Sequence, residues 1–267
     1  MGCRHDHNKH GRGHDHSHGH HHHGDQKLGW AAFINILLTL AQFVGGIFSG
    51  SLALIADAMH NLSDAGALVL ALVARRISRR APDDKRSYGY KKVETLAAFT
   101  NFLVLILIAL WLAVEAVMRF FEPQPVAGMT VFVLALLGVI INGGTAMLVY
   151  AQAKTSQNIR AAFLHNLTDA MSSVGVMVAG LLIMAFGWTW IDPLITLAIS
   201  AYIIIHAMHD LPDVINILID GKSAELEIHE ILNVVLNIDC VSSVHHVHAR
   251  QLGEGLQALE ADRKSVV

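Results

Sequence analysis

Long apolar stretches separated by short polar connections dominate this chain. Six of them reach the roughly 20 residues needed to cross the hydrocarbon core of a bilayer as a helix. They cover residues 28–49, 52–77, 93–118, 129–151, 161–186 and 190–208. The pattern predicts an α-helical membrane protein with six transmembrane helices, occupying residues 28–210 as one domain.

Both ends of the chain are polar. Residues 1–27 hold ten of the eighteen histidines, interleaved with Gly and Asp, so this segment cannot build a core. We expect a disordered cytoplasmic tail that binds metal weakly, the alternative being a purification tag. Residues 211–267 are mixed in character. Their pattern indicates an amphipathic helix over 225–236, a strand over 241–252 and a short strand over 256–260 that ends before residues 261–265.

Charge sets the orientation of the predicted helices. The loop between helices two and three carries eight Lys and Arg residues, whereas the connections after helices one and five carry none. Because cytoplasmic loops are enriched in Lys and Arg, both termini are expected in the cytoplasm. Cys3 and Cys240 would then stay reduced. Only 15% of residues are charged and the net charge is −3, so nothing indicates nucleic-acid binding.

The candidate chemistry lies in a repeated motif. His60-Asn-Leu-Ser-Asp64 and His165-Asn-Leu-Thr-Asp169 each place an imidazole and a carboxylate four residues apart, hence on one helix face. An ionisable group in hydrocarbon costs roughly 2.5 kcal/mol or more, so matched pairs need a compensating partner. Two His and two Asp suit tetrahedral zinc, with cadmium and cobalt left open. The motifs contain no Cys or Met, which argues against copper(I).

Neighbouring polar residues have simpler interpretations. The hydroxyls of Ser63 and Thr168 are expected to bond back within their own helices. The amides of Asn61 and Asn166 are expected to join helices. Asp57, one turn before His60, either relays protons or gates the outer side, or else lies in water near the start of its helix.

Glycines inside the apolar stretches are expected to permit close helix packing. They are Gly45, Gly46, Gly66, Gly143, Gly144, Gly175 and Gly180.

Three function classes compete. A membrane-embedded zinc hydrolase needs an open coordination position, which four protein ligands do not leave, and the chain has no His-Glu-x-x-His motif. A membrane-anchored metal sensor or storage protein needs one helix rather than six with matched polar sites. A secondary active transporter explains both features. Because an imidazole must be neutral to bind metal, protons compete with the ion, which suggests metal/proton antiport.

Several stretches resemble a known family. They are residues 49–64, 88–94, 160–169, Asp192-Pro193 and 244–248. The chain is similar to the cation diffusion facilitators, in their bacterial zinc-exporter branch. The resemblance implies six membrane helices followed by a ferredoxin-like cytoplasmic domain, a homodimer in the bacterial inner membrane, and export of Zn²⁺ in exchange for H⁺. It places His60, Asp64, His165 and Asp169 at the transport site.

The resemblance is weaker in the cytoplasmic segment. His245 and His248 match positions that could hold a second zinc ion. Glu260, however, stands where relatives have a histidine, and the chain ends 19 residues after His248. We therefore expect a short, truncated ferredoxin-like domain with a weak dimer contact and an incomplete metal site.

Overall fold

Six long helices followed by a small α/β segment make up the fold in the computed structural model. It describes residues 22–153, 157–223, 226–238, 241–253 and 255–265. The long helices are α1 His22–Ser49, α2 Leu52–Ser78, α3 Lys92–Phe121, α4 Gly128–Ala153, α5 Gln157–Phe186 and α6 Ile191–Leu218. Then come α7 Ile228–Leu236, β1 Val241–Gly253 and β2 Leu256–Ser265. Cys3, Cys240 and residues 1–21 of the expected tail lie outside the described residues.

Two helix ends differ from those expected. The first helix begins at His22, so residues 22–27 are helical rather than disordered, and α6 continues to Leu218 although its apolar stretch ends near residue 208. The expected boundary at residue 210 therefore lies inside α6. Hydropathy marks where a segment leaves hydrocarbon, whereas a helix continues as long as its backbone hydrogen bonds are satisfied.

Membrane-spanning character is clearest in four helices. Within the described part of the chain, α3, α4, α5 and α6 are long and apolar enough to cross a bilayer. The described apolar part of α1 is the shorter stretch Phe33–Ser49. Helix α2 carries Asp57 and Asp64 in its apolar stretch and Arg75 and Arg76 in its last turn. That α1 and α2 also cross the membrane, which would make six crossings, remains a prediction.

The helices pack as a bundle around α2. Helix α4 runs along α5 and α3 along α6, while α2 packs against α1, α3 and α6 and meets α5. The apolar core contains Leu52, Leu54, Leu112, Val131 and Val176. This arrangement puts α2, the first motif helix, against α5, the second.

One end of the bundle, here called the Ser51 end, is fixed by hydrogen bonds at the start of α2. Ser51 caps α2 by accepting a bond from the Leu54 amide (3.1 Å) and donates its own hydroxyl proton to Asp192 in the first turn of α6. Asp192 also accepts a bond from the Leu52 amide (2.8 Å) and is fully buried. The depth at which α2 starts is thereby tied to α6.

The opposite end, here called the Lys92 end, carries the α/β segment. Lys92 Nζ donates to Asp220 Oδ1 (2.8 Å), and this bond holds the pKa of Asp220 below its usual range. The Gln251 amide of β1 donates to the Gly221 carbonyl (2.9 Å), so the strand is hydrogen-bonded to the chain just beyond α6. Arg250 and Tyr88 both bond Glu260, which joins β1, β2 and the loop before α3.

The two strands form an antiparallel hairpin. Strand β2 continues to Ser265, five residues beyond the expected end, because residues 261–265 pair with β1 up to Val241 despite their polar sequence. A solvent-facing hairpin accepts polar side chains as long as its backbone groups pair. Helix α7, which begins at Ile228, packs on β1. One helix and two strands are thus described here, and the complete ferredoxin-like arrangement remains an expectation.

Close packing of α4 on α5 depends on glycine. A Cβ atom at Gly180 would lie 2.7 Å from the Phe132 backbone nitrogen, and one at Gly128 would lie 2.9 Å from the Gly180 carbonyl oxygen. The expectation of close packing is therefore right for Gly180. It is wrong for Gly143, where an added Cβ would meet nothing within 4 Å.

The contrast between these glycines gives a test. Gly180→Ala forces backbone apart and should lower the free energy of unfolding by about 1–3 kcal/mol, the usual cost of overpacking. Gly143→Ala places the same methyl group in open space and should be neutral or slightly stabilising, because alanine favours the helix. Thermal unfolding in detergent, followed by circular dichroism, compares the two. Equal stability of both variants would contradict this packing.

Candidate metal centre

The two motifs meet where α2 and α5 cross. These helices run in opposite directions, so a step toward the Lys92 end moves forward along α2 and backward along α5. His60 consequently faces Asp169, and Asp64 faces His165. The antiparallel register thus pairs each imidazole with the carboxylate of the other helix as well as with its own.

Three of the four side chains come together: His60, Asp64 and Asp169 offer ligand atoms within 4.8 Å of one another, and His165 stays outside this group although it approaches both carboxylates. His60 Nε2 lies 3.8 Å from Asp64 Oδ2 and 3.8 Å from Asp169 Oδ1. His165 Nε2 lies 3.7 Å from Asp64 Oδ2 and 3.5 Å from Asp169 Oδ2. Ligand atoms bound tetrahedrally to zinc at 2.0–2.2 Å are about 3.3–3.6 Å apart. Each His–Asp pair is thus within a few tenths of an ångström of ligand spacing, and a four-ligand site would also require His165 to move toward His60.

Two carboxylate oxygens in this group lack the partners that burial normally demands. Asp64 Oδ2 and Asp169 Oδ1 are buried and accept no hydrogen bond from the described residues. Leaving such an acceptor unsatisfied costs free energy, more for a charged group than for a neutral one. Both atoms face the imidazole nitrogens across the gap. A cation bound in this gap would compensate both oxygens at once.

A comparison within the chain shows that the spacing alone makes no such cluster. His206 and Asp210 on α6 repeat the four-residue separation, with Nε2 3.9 Å from Oδ2. Among described residues, the ligand-type atoms of at least three His, Cys, Asp or Glu come together within 4.8 Å only at His60, Asp64 and Asp169. The second helix, rather than the His-x-x-x-Asp pattern, distinguishes the centre between α2 and α5.

Exposure changes steadily across the cluster. The side chains of His165 and Asp64 are 52% and 32% exposed, whereas those of His60 and Asp169 are 14% and 3% exposed. The exposed pair lies toward the Lys92 end of the bundle and the buried pair toward the Ser51 end. The cluster is therefore open on one side and closed on the other.

A cavity of about 340 Å³ adjoins the cluster on the side of α6. It is bordered by His60 of α2, by Thr168 and Ser172 of α5, and by Ile199 and Tyr202 of α6. The side chains at the α2–α5 crossing therefore have room to move without first displacing neighbouring helices.

Two other polar residues of the second motif form hydrogen bonds within their own helix. The Thr168 hydroxyl donates to the Leu164 carbonyl (3.0 Å), which confirms the expected bond within its own helix. Asn166 was expected to join helices, and this is wrong, since its amide donates to the Ala162 carbonyl of α5 (2.8 Å). A carbonyl four residues back lies within reach of both side chains on a helix and satisfies them locally.

Asp57 belongs to a second buried group that the repeat did not reveal. It is fully buried, which rules out one of the two alternatives given for it, the position in water near the start of its helix. Its carboxylate accepts hydrogen bonds from Gln42, Ser172 and Ser173. The sequence did carry a signal for this group. Asp57 lies one helical turn before His60, and Ser172 and Ser173 lie one turn after Asp169, so antiparallel helices would bring them together on the same side of the motifs.

The histidines of β1 are arranged differently. His245 Nε2 lies 3.0 Å from the Ser243 hydroxyl, and the register places His248 opposite Glu260. Both histidines are exposed, and Glu260 is already bonded to Arg250. A metal-binding role for His245 and His248 stays a prediction.

Comparison with known proteins identifies the family. Residues 30–219 match the cation efflux transmembrane domain, which covers most of the chain. The chain belongs to the cation efflux family, the cation diffusion facilitators. This confirms the resemblance seen in the sequence. It also makes the chain a multi-pass membrane transporter rather than an enzyme.

Several bacterial members of the family are similar over most of their length. The zinc transporter ZitB of Pectobacterium atrosepticum is 41% identical over 86% of this chain and 73% of its own length. The cadmium, cobalt and zinc/H(+)-K(+) antiporter of Bacillus velezensis is 33% identical over 82% and 71%. The cation efflux system protein CzcD of an Alcaligenes species is 33% identical over 97% and 78%.

Proposed function

We propose that this cation efflux protein exports Zn²⁺ from the cytoplasm in exchange for protons, with His60, Asp64, His165 and Asp169 as the transport site. The observation that carries the proposal is the convergence of both His-x-x-x-Asp pairs across α2 and α5. It brings two unpartnered buried carboxylate oxygens against two imidazole nitrogens.

Zinc fits this ligand set best. Two imidazoles and two carboxylates match the ligands and geometry that Zn²⁺ prefers, whereas Mg²⁺ and Ca²⁺ favour oxygen ligands alone. The similar proteins named for zinc, and in one case for cadmium and cobalt as well, support the same group of borderline divalent ions. We therefore place zinc first, with cadmium and cobalt as further substrates.

The direction of transport follows from the proposed topology. The basic loop between α2 and α3 belongs to the Lys92 end of the bundle, so this end is placed in the cytoplasm together with both termini. The exposed side of the cluster then faces the cytoplasm, the compartment from which the ion is taken. A homodimer in the bacterial inner membrane completes the proposal, on the strength of the family resemblance.

Proton exchange follows from the imidazoles. His60 and His165 bind metal only in their neutral forms, so protons and Zn²⁺ compete for the same nitrogens. If the site opens alternately to each side, an ion released outside is replaced by protons that are then released inside. The antiporter name of the Bacillus relative is consistent with such an exchange.

The two rival functions fit less well. A hydrolase needs a free coordination position, which the proposed set of four protein ligands would not leave. A sensor or storage protein needs no second motif helix, yet the α2–α5 register builds the cluster. The similar proteins are also named as transporters.

Zinc flux into proteoliposomes tests the transport site. Asp64→Ala removes one ligand and should abolish flux, since losing even an outer partner of a metal ligand typically costs about 10–100-fold. His206→Ala removes an imidazole with the same spacing to an Asp on α6 and should leave flux unchanged. Flux from Asp64→Ala at the level of the unsubstituted chain, with both proteins folded, would contradict the assigned site.

A pH gradient tests the exchange. An acidic lumen supplies protons that leave as Zn²⁺ enters, so it should accelerate zinc uptake, and an alkaline lumen should slow it. The same gradient collapsed by a protonophore serves as the control. Zinc uptake that does not respond to the imposed gradient would refute proton antiport while leaving zinc transport intact.

A further inference from the structure

A second polar group lies beside the metal centre and takes no part in it. Asp57 Oδ1 accepts a hydrogen bond from the Ser172 hydroxyl (2.7 Å). Its Oδ2 accepts bonds from the Ser173 hydroxyl (3.0 Å) and from Gln42 Nε2 (3.3 Å). These residues are called the Asp57 cluster below. They belong to α1, α2 and α5, so the cluster joins three helices.

The Asp57 cluster lies on the Ser51 side of the metal centre and between the same two helices. Asp57 precedes His60 by three residues, and Ser172 follows Asp169 by three. The antiparallel register therefore carries both helices about one turn, roughly 5 Å, beyond the metal centre before they meet again at these bonds. An ion moving between α2 and α5 toward the Ser51 end encounters the Asp57 cluster next.

Burial shows that this side is closed toward α1 and α4, while half-buried Ser172 borders the cavity beside α6. Asp57, Ser173 and Gln42 are fully buried, whereas His165 and Asp64 on the other side of the centre are substantially exposed. Helix α4 backs the closure at Gly138, where a Cβ atom would lie 2.8 Å from both Gln42 Nε2 and Ser173 Oγ. The Asp57 cluster is therefore packed without space for a larger side chain on α4.

We propose that the Asp57 cluster is the outer gate of the transport pathway. Its hydrogen bonds hold α1, α2 and α5 together while the metal centre is open to the cytoplasm, and they break when the centre opens outward. Asp57, Ser172, Ser173 and Gln42 are thus positioning residues rather than ligands of the transport site. The direction assigned to the gate, though not the contact itself, rests on the proposed function.

The chemistry of the cluster suits a contact that must open and close. Hydrogen bonds to a carboxylate are stronger than those between neutral groups, which favours closure. In the closed state, however, Gln42 Oε1 is buried and accepts no hydrogen bond from the described residues. Water entering on opening would hydrate this oxygen and the carboxylate. The free energy of hydrating these groups offsets part of the free energy lost with the broken hydrogen bonds, so the closed and open states can be close in free energy.

Accessibility of a single cysteine tests the gate. Cys3 and Cys240 are replaced by serine, and Val176→Cys serves as the reporter. Val176 is fully buried and lies about one turn beyond the serines toward the Ser51 end. A membrane-impermeant thiol reagent is applied to intact cells. The reporter in the otherwise unsubstituted chain should react slowly, because Val176 is buried in the apolar core next to the cluster while the gate is closed.

Ser172 offers a matched pair of variants. Ser172→Ala deletes one hydrogen bond to the Asp57 carboxylate. Losing a hydrogen bond to a charged group shifts an equilibrium by about tenfold or more, so the labelling rate should rise about tenfold. Ser172→Thr keeps the hydroxyl, and its extra methyl group can enter the cavity that Ser172 lines, so labelling should stay within about twofold of the unsubstituted rate. Ser173→Ala repeats the test at the neighbouring bond.

A hydroxyl outside the cluster provides the control. Thr196 is also buried, and its hydroxyl donates to the Asp192 carbonyl within α6 (2.8 Å). Thr196→Val should leave the labelling rate unchanged. Elution in detergent checks that each variant is folded, and labelling from the cytoplasmic side is measured separately in inverted vesicles.

The gate would be refuted if Ser172→Ala and Ser173→Ala, both folded, were labelled from outside at the unsubstituted rate. Faster labelling only from the cytoplasmic side would contradict the direction of the gate. Zinc flux of the unsubstituted chain is measured in parallel. Labelling that responds without any zinc flux would refute the proposed function and leave the gate standing, whereas flux without a labelling response would refute the gate alone.

Discussion

The structure depends on placing two carboxylates and two imidazoles where α2 and α5 cross. Asp64 and Asp169 present oxygens that are buried without hydrogen bonds, an unfavourable arrangement in the interior of a membrane bundle. A divalent cation supplies the charge that would stabilise it. Much of the surrounding fold can be understood as holding two helices so that this cluster forms at one depth.

That depth is set at the two ends of the bundle. Asp192 holds the start of α2, and Gly180 lets α5 approach α4 at the same end. Lys92 and Asp220 tie α3 to the chain that follows α6 at the other end. Between these ends the surroundings are asymmetric, since the side chains of the metal centre are more exposed toward Lys92 and more buried toward Ser51. An alternating-access transporter needs a difference in exposure of this kind, and it must be able to reverse it.

The sequence predicted the chemistry better than its setting. The His-x-x-x-Asp repeat marked four candidate ligands because helix periodicity is local and places each pair on one face, and the structure groups three of them, His60, Asp64 and Asp169. The register between the helices was not predictable, since it depends on tertiary contacts such as that between Ser51 and Asp192. Asn166 and strand β2 were misjudged for related reasons: local backbone bonds satisfied the amide, and strand pairing overrode a polar sequence.

Zinc X-ray absorption spectroscopy tests the central claim most directly. The sample is the full-length chain with its ten N-terminal histidines replaced, loaded with less than one equivalent of zinc. The account predicts four nitrogen and oxygen ligands at about 2.0–2.2 Å, two of them imidazoles. One imidazole should disappear from the spectrum in His60→Ala, and likewise in His165→Ala. A shell of sulfur or of six oxygens, or a spectrum unchanged by either substitution, would contradict a shared site between α2 and α5.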